Sequence, residues 1–228
     1  MLRQRNNVVK SLGEQVYDYL FEQLKRKALV PGTCLDLNRI AAELGISRTP
    51  LRDALMSLEA EGYVEIVPRR GVLVKHLTLE DVRELYQVIG ALEAAAMLAA
   101  APGLGPGDHR RLREMTDEYQ SRLDEGNFDR CLLINYQFHD FFLERCGNGL
   151  LARTVHGCKR RLYDWPRHLE LLAEWEQRNV DEHRRMVQLI GAGDARGAAE
   201  ILQFVHWSFH GQEQYVRAFY GGGPAPAP

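Results

Sequence analysis

Apolar residues recur at helical spacing along most of this chain and alternate at strand spacing in one short stretch. Val16, Leu20 and Leu24 lie four apart and predict an amphipathic first helix ending near Lys27. Pro31-Gly32-Thr33 reads as a turn, and Leu37 to Leu44, closed by Gly45, reads as a short second helix. Leu51, Leu55 and Leu58 form the buried stripe of a third helix, which opens at Ser47 and stops at Glu61-Gly62-Tyr63. Ser47 is placed as its N-cap, with the hydroxyl taking the free N–H of Thr49, and Pro50 falls in the first turn, where a missing donor costs little. Tyr63 to Val67 then alternates as a strand, Val72-Leu73-Val74 forms a second, and Pro68-Arg69-Arg70-Gly71 makes a basic hairpin tip between them. Three helices followed by a two-stranded wing predict a winged helix-turn-helix over residues 1–76.

Beyond the wing the alternation disappears. Thr78-Leu79-Glu80-Asp81 has the form of a helix start, with a hydroxyl cap and acidic residues in the first turn. Helical patterns follow at roughly 79–101, 106–125, 127–146, 149–164, 169–191 and 195–219. They break at Pro102-Gly103, Glu125-Gly126, Gly147-Asn148, Pro166 and Gly191-Ala192-Gly193. Short connections of this kind predict an all-α antiparallel bundle over 77–220, so the fold class is mostly α. The glycines of Gly103-Leu104-Gly105-Pro106-Gly107 follow no strand and precede no lysine, so they form a loop and not a phosphate cradle. Residues 221–228, Gly-Gly-Gly-Pro-Ala-Pro-Ala-Pro, have the composition of a disordered tail.

Charge sharpens the division. The chain of 228 residues carries a net charge of −2, but residues 1–76 hold 12 Lys+Arg against 9 Asp+Glu (+3) and the remainder 17 against 22 (−5). A modestly basic N-terminal third suits a nucleic-acid module, provided its cations sit on the right face. Arg48 and Arg52 lie one turn apart on the third helix, off its buried stripe, where a major groove would meet them. They are the candidates for bidentate contact with guanine O6 and N7. Ser47 and Thr49 suit phosphate near the helix N-terminus, and Arg69, Arg70 and Gly71 at the wing tip suit the minor groove or flanking backbone. Asn38 is assigned a weaker backbone contact.

Cys34, Cys131, Cys146 and Cys158 are scattered, which argues against a disulfide framework and for a reducing, cytoplasmic setting. The polar N-terminus, with Arg3, Arg5 and Lys10, does not read as a signal peptide. The most apolar run, Ala91 to Ala101, carries Glu93 and is expected to be too short to span a membrane.

Asn135 and His139 lie four apart in one helical segment and share a face. His183 and His206 fall in two other helices of the same bundle. Three imidazoles and an oxygen from three helices can meet inside a bundle and hold a divalent transition metal. From spacing alone each histidine is equally readable as a core or capping residue.

The run from Leu29-Val30-Pro31-Gly32 through Leu44-Gly45-Ile46-Ser47-Arg48-Thr49-Pro50-Leu51-Arg52-Asp53-Ala54-Leu55 to Glu61-Gly62-Tyr63 and Arg69-Arg70-Gly71 resembles the GntR family of bacterial transcription regulators. Residues 78–219 resemble the all-helical FCD effector domain of its FadR-type members, through Asn135-Tyr-Gln-Phe138-His139 with Gly147-Asn148, Glu182-His183, Gly193-Asp194 with Ala198-Ala199, and His206. The resemblance implies a homodimeric, ligand-responsive regulator, most often a repressor, that reads a pseudo-palindromic operator in double-stranded DNA. It also implies a divalent metal, zinc or nickel, on Asn135, His139, His183 and His206, facing a cavity for a small carboxylate effector. Two positions depart from the pattern. Asn135 stands where Asp is commoner, leaving the site more positive by one charge and favouring an anionic co-ligand. Ile89 stands where many relatives carry an arginine, so Arg130, Arg160 and Arg161 become the candidates for holding the effector carboxylate.

Two other readings of three histidines are a metal-dependent enzyme and a metal sensor with no organic ligand. Against the enzyme stand the absence of a His-Glu-x-x-His motif and the direction of Glu182, which as neighbour of His183 points about 100° away from it on a helix.

Overall fold

A computed structural model describes residues 10–26, 28–163 and 172–220. The expected tail 221–228, the residues Arg3 and Arg5, the break at Pro166 and the first residues of the helix expected from 169 lie outside the described residues. The chain divides into two compact units, the first built on residues 1–76 and the second on 77–162 and 167–228.

In the first unit, α1 (Leu12–Lys25) buries Val16, Leu20 and Leu24, as the four-residue spacing requires. Ser11 and Glu14 close its N-terminus as a reciprocal capping box. The second helix, α2 (Leu37–Leu44), is capped by Asp36, whose carboxylate accepts from the N–H groups of Asn38 and Arg39. It ends on Gly45 in the left-handed region at φ 63°, a conformation glycine adopts without a Cβ clash. The third, α3 (Arg48–Ala60), buries Pro50, Leu51, Ala54, Leu55 and Leu58.

One capping expectation fails here. Ser47 is the N-cap residue, but its side chain makes no capping hydrogen bond. A serine cap accepts from the second or third helical N–H, and here the third residue is Pro50, which has none. Half of the usual geometry is gone, and the hydroxyl stays exposed on the helix end.

The wing pairs β1 (Val64–Val67) antiparallel with β2 (Gly71–Val74), Val64 opposite Val74 and Val67 opposite Gly71. The Arg70 N–H donates to the Val67 carbonyl at 3.0 Å, closing a turn with Pro68 second and Arg69 third. Arg69 has φ 64°, as the third residue of a type II turn demands, at a position where Gly or Asn is the usual occupant. The turn at Pro31-Gly32-Thr33 does more than reverse the chain. Thr33 and Leu35 exchange hydrogen bonds with Val74 and Val72, so residues around Cys34 lie along the outer side of β2.

Every described element of the second unit is helical: α4 (Leu79–Ala100), α5 (Pro106–Asp124), α6 (Phe128–Leu143), α7 (Gly149–Tyr163), α8 (Ala173–Gly191), α9 (Ala195–Ile201) and α10 (Phe209–Tyr220). Thr78 and Asp81 cap α4 reciprocally, as predicted. By length and composition Leu79–Gly103 would suffice to cross a membrane, contrary to the expectation drawn from Ala91–Ala101. Half of it is buried in the bundle and its Glu93 carboxylate is paired in the interior, as befits a core helix.

The single helix expected over 195–219 is interrupted. After α9 the backbone opens into a π turn, Leu202–His206, and Trp207 leaves helical geometry at φ −94°, ψ 25° before α10 begins. The wider turn puts Leu202, His206 and Trp207 inward and leaves Phe204 65% and Val205 38% exposed. Gly90 of α4 makes room for it: a Cβ there would lie 2.8 Å from Trp207 Cβ and 3.3 Å from the Gln203 carbonyl oxygen.

Candidate metal centre and nucleic-acid interface

His139 on α6, His183 on α8 and His206 at the end of the π turn converge inside the second unit. One ligand nitrogen from each lies within 4.8 Å of the others, and all three residues are buried. The His183 ring stacks flat on Phe138, with centroids 3.9 Å apart and planes at 10°, which fixes its direction. Asn135, one helical turn before His139, is also buried, and its Oδ1 has no hydrogen-bond partner. Neither ring nitrogen of His183 has one either.

Buried polar atoms left without partners cost stability, and native proteins tolerate them where a ligand or ion completes them. Orphaned imidazole nitrogens beside an orphaned amide oxygen are the donor set that a borderline-soft divalent cation accepts. The residues present therefore fit a metal.

Carboxylates brace two of the rings. His206 Nδ1 lies 2.9 Å from Glu182 Oε2, while Arg178 donates from Nε to the other oxygen of that carboxylate at 2.7 Å. His139 Nδ1 lies 2.7 Å from Glu93 Oε2. Trp207 donates from Nε1 to the same Glu93 oxygen at 2.7 Å, and Lys159 Nζ lies 2.5 Å from Oε1. A carboxylate on Nδ1 selects the tautomer whose Nε2 lone pair is free to bind. Glu182 thus turns away from its sequence neighbour His183, as helical geometry demands, and serves His206 on another element.

Burial sets the charge states. It pushes the His139 ring down to about 3, outweighing the nearby Glu93 carboxylate, so this imidazole is neutral at pH 7. Burial lowers His183 well below its ordinary value too, helped by His206, His139 and Lys159. For Glu93, burial acts upward, but His139 and Lys159 outweigh it and hold the carboxyl well below the usual carboxylate range. Neutral imidazoles and ionised bracing carboxylates are what metal ligation requires.

Arg130 is paired with Glu118 of α5 at 2.6 Å, Arg161 with Asp81 at 2.5 Å, and Arg160 is exposed. Ile89 is fully buried, so α4 delivers no cation at that position. Lys159, 1% exposed, is the cation that faces the cluster. Glu93, Lys159 and Trp207 are absent from the candidates that spacing and motif supply, although two signals mark them. Glu93 is the lone charge in an otherwise apolar stretch, and Lys159 falls in phase with Val155 and Leu162, the other buried residues of α7.

In the first unit, Ser47, Arg48, Thr49 and Arg52 are all exposed on the opening turns of α3, and Arg69, Arg70 and Gly71 are exposed at the wing tip. Arg48 donates from Nη2 to the Asn38 Oδ1 of α2 at 2.9 Å, so its guanidinium is oriented by the preceding helix.

Comparison with known proteins identifies the family of each unit. Residues 84–204 match the FCD domain, and residues 12–74 match the bacterial regulatory proteins of the gntR family. The HTH-type transcriptional regulator McbR of Escherichia coli K12 is 26% identical over 199 residues, which cover 85% of this chain and 90% of McbR. The HTH-type transcriptional repressor RspR of the same organism is 22% identical over 153 residues, 67% of each chain. A GntR transcriptional regulator structure from Rhodococcus sp. RHA1 superposes with a TM-score of 0.65 at 19% identity, over 94% of this chain and all of that one, a likeness of fold.

Proposed function

From the premise that this chain belongs to the gntR family of bacterial regulatory proteins and carries an FCD domain, making it a DNA-binding transcriptional regulator, we propose that a divalent metal and a small carboxylate in its bundle control its hold on an operator. The convergence of His139, His183 and His206 in the interior carries the reading. With Asn135 they would hold the metal, zinc or nickel, and a cation bound there supplies a Lewis-acidic position for an anionic oxygen. Glu93 and Glu182 keep His139 and His206 oriented. The neutral Asn135 amide leaves the site more cationic than an aspartate would, which favours an anionic partner.

On the DNA side, Arg48 and Arg52 read base edges in the major groove, Ser47 and Thr49 grip phosphate at the start of α3, and Arg69, Arg70 and Gly71 reach the minor groove or flanking backbone. Two copies of the chain in a homodimer read the halves of a pseudo-palindrome, and repression is the favoured outcome. Such an assembly works in the cytoplasm. The effector shifts DNA binding only by as much as its affinities for the DNA-competent and incompetent states differ.

Anisotropy titration of the protein against DNA from its own promoter region tests this, with and without chelator and with a panel of mono- and dicarboxylates. The reading expects carboxylates that alter operator affinity and lose that effect on chelation. A shift caused by chelation alone would make the metal itself the signal. Indifference of operator affinity to both would refute metal and effector control.

A further inference from the structure

Lys159 is the only lysine or arginine among the fully buried polar side chains of the described residues. A buried ammonium is tolerated when paired, and its three N–H groups each call for an acceptor. Lys159 Nζ approaches one oxygen, Glu93 Oε1, at 2.5 Å, an ion pair that can occupy one of its three N–H groups. The other Glu93 oxygen is already committed to Trp207 Nε1 and lies against His139. Ring faces also lie near Nζ, Trp207 at 5.7 Å and Tyr136 at 5.9 Å. One carboxylate oxygen and two π faces leave N–H donors of a buried cation unsatisfied, beside histidines whose nitrogens are unsatisfied as well.

We propose that Lys159 anchors the carboxylate of the effector and that Glu93 is its resident counter-ion. This deepens the reading of the bundle as a carboxylate site and rests on it. The anchor comes from α7, and α4, which buries Ile89, contributes the counter-ion Glu93. An acceptor oxygen entering the cluster completes the Lys159 donors without displacing Trp207 or His139 from Glu93. The ligand class proposed is short-chain carboxylates, whose oxygen supplies the acceptor that Lys159 lacks.

The test uses the zinc-loaded full-length protein, with acetate, lactate and succinate as probes in calorimetric titrations and zinc stoichiometry measured for every variant. Glu93→Gln frees Lys159 of its counter-ion and is expected to tighten carboxylate binding. The double variant Glu93→Gln/Lys159→Met removes both charges together, which buried pairs generally tolerate. It is expected to bind at least roughly tenfold more weakly than Glu93→Gln, the loss of one charge-assisted hydrogen bond. Equal affinity of the two variants would overturn the anchoring role. Because Glu93 also orients His139, the variants are compared at saturating zinc; a Glu93→Gln protein that binds the probes no more tightly than wild type would overturn the counter-ion role. Should wild-type protein with zinc bound take up none of the three probes at millimolar concentration, the carboxylate reading itself falls and this proposal with it.

Discussion

Acidification to pH 5 is expected to loosen the bundle, by an amount that the buried histidines set. Burial holds the His139 ring at about 3 in the folded protein, against about 6.5 in an unfolded chain. The folded state therefore binds fewer protons than the unfolded state between those values. The contribution is intact above about pH 6.5 and drains away as pH falls toward 3. At pH 5 the unfolded chain is favoured by about 1.5 pH units on this residue, which is about 2 kcal/mol. His183, lowered in the same direction, adds to the loss. Glu93 does not offset it: its carboxyl is held below the ordinary value, so its contribution persists until pH falls below about 4.5. Against a total stability of about 5–15 kcal/mol the effect is large. It corresponds to a melting temperature lower by roughly 5–10 °C.

Tryptophan fluorescence reads the bundle through Trp175 and Trp207, both buried in the second unit. Chelator-treated protein is melted at pH 7 and at pH 5, alongside a His139→Gln variant. The wild-type midpoint should drop and the variant should show a shallower pH slope. A midpoint that stays level, or a variant with the wild-type slope, would refute the claim that a buried neutral imidazole at position 139 sets the acid limit. Zinc should raise the midpoint at pH 7, and less so at pH 5, where protons compete for the imidazoles.

Three further outcomes follow from individual contacts. Asn38→Ala should lower the preference for operator over random DNA, in the same direction as Arg48→Ala and by less, because Asn38 orients the Arg48 guanidinium; anisotropy against both DNAs measures it, and an unchanged ratio would detach Asn38 from base reading. Arg69→Ala should weaken operator and random DNA alike and reduce the salt slope by about 1, the mark of a phosphate contact; a change in specificity alone would contradict that. Gly90→Ala should push the π turn outward and weaken zinc binding, since the new Cβ would sit 2.8 Å from Trp207 Cβ; undiminished zinc affinity, read by competition with a chelating dye, would show that the turn tolerates the shift.

The elements whose order depends on local chemistry are legible in the residues themselves. Spacing alone places α1, α2, α3, the wing and the Thr78 start of α4, because caps, turns and one-sided apolar stripes act over a few residues. The histidines are legible as candidates, and spacing leaves the alternative between core residue and ligand open because convergence is a long-range property: residues 139, 183 and 206 approach through three separate elements. What stays hidden is the part of the site governed by packing. Nothing in Lys159-Arg160-Arg161 marks which cation turns inward until α7 is given a core-facing stripe through Val155 and Leu162. The π turn is harder still, because its one-residue widening leaves no composition signal, and an unbroken helical phase through 195–219 misplaces either His206 or Trp207. Both side chains point inward only because the backbone gives up a helical turn there, and Gly90, on a helix more than a hundred residues earlier, supplies the space. The π turn thus aligns one residue with the Glu182 brace and its neighbour with the Glu93 brace, and the carboxylates on α4 and α8 are joined through it into one frame around the three imidazoles.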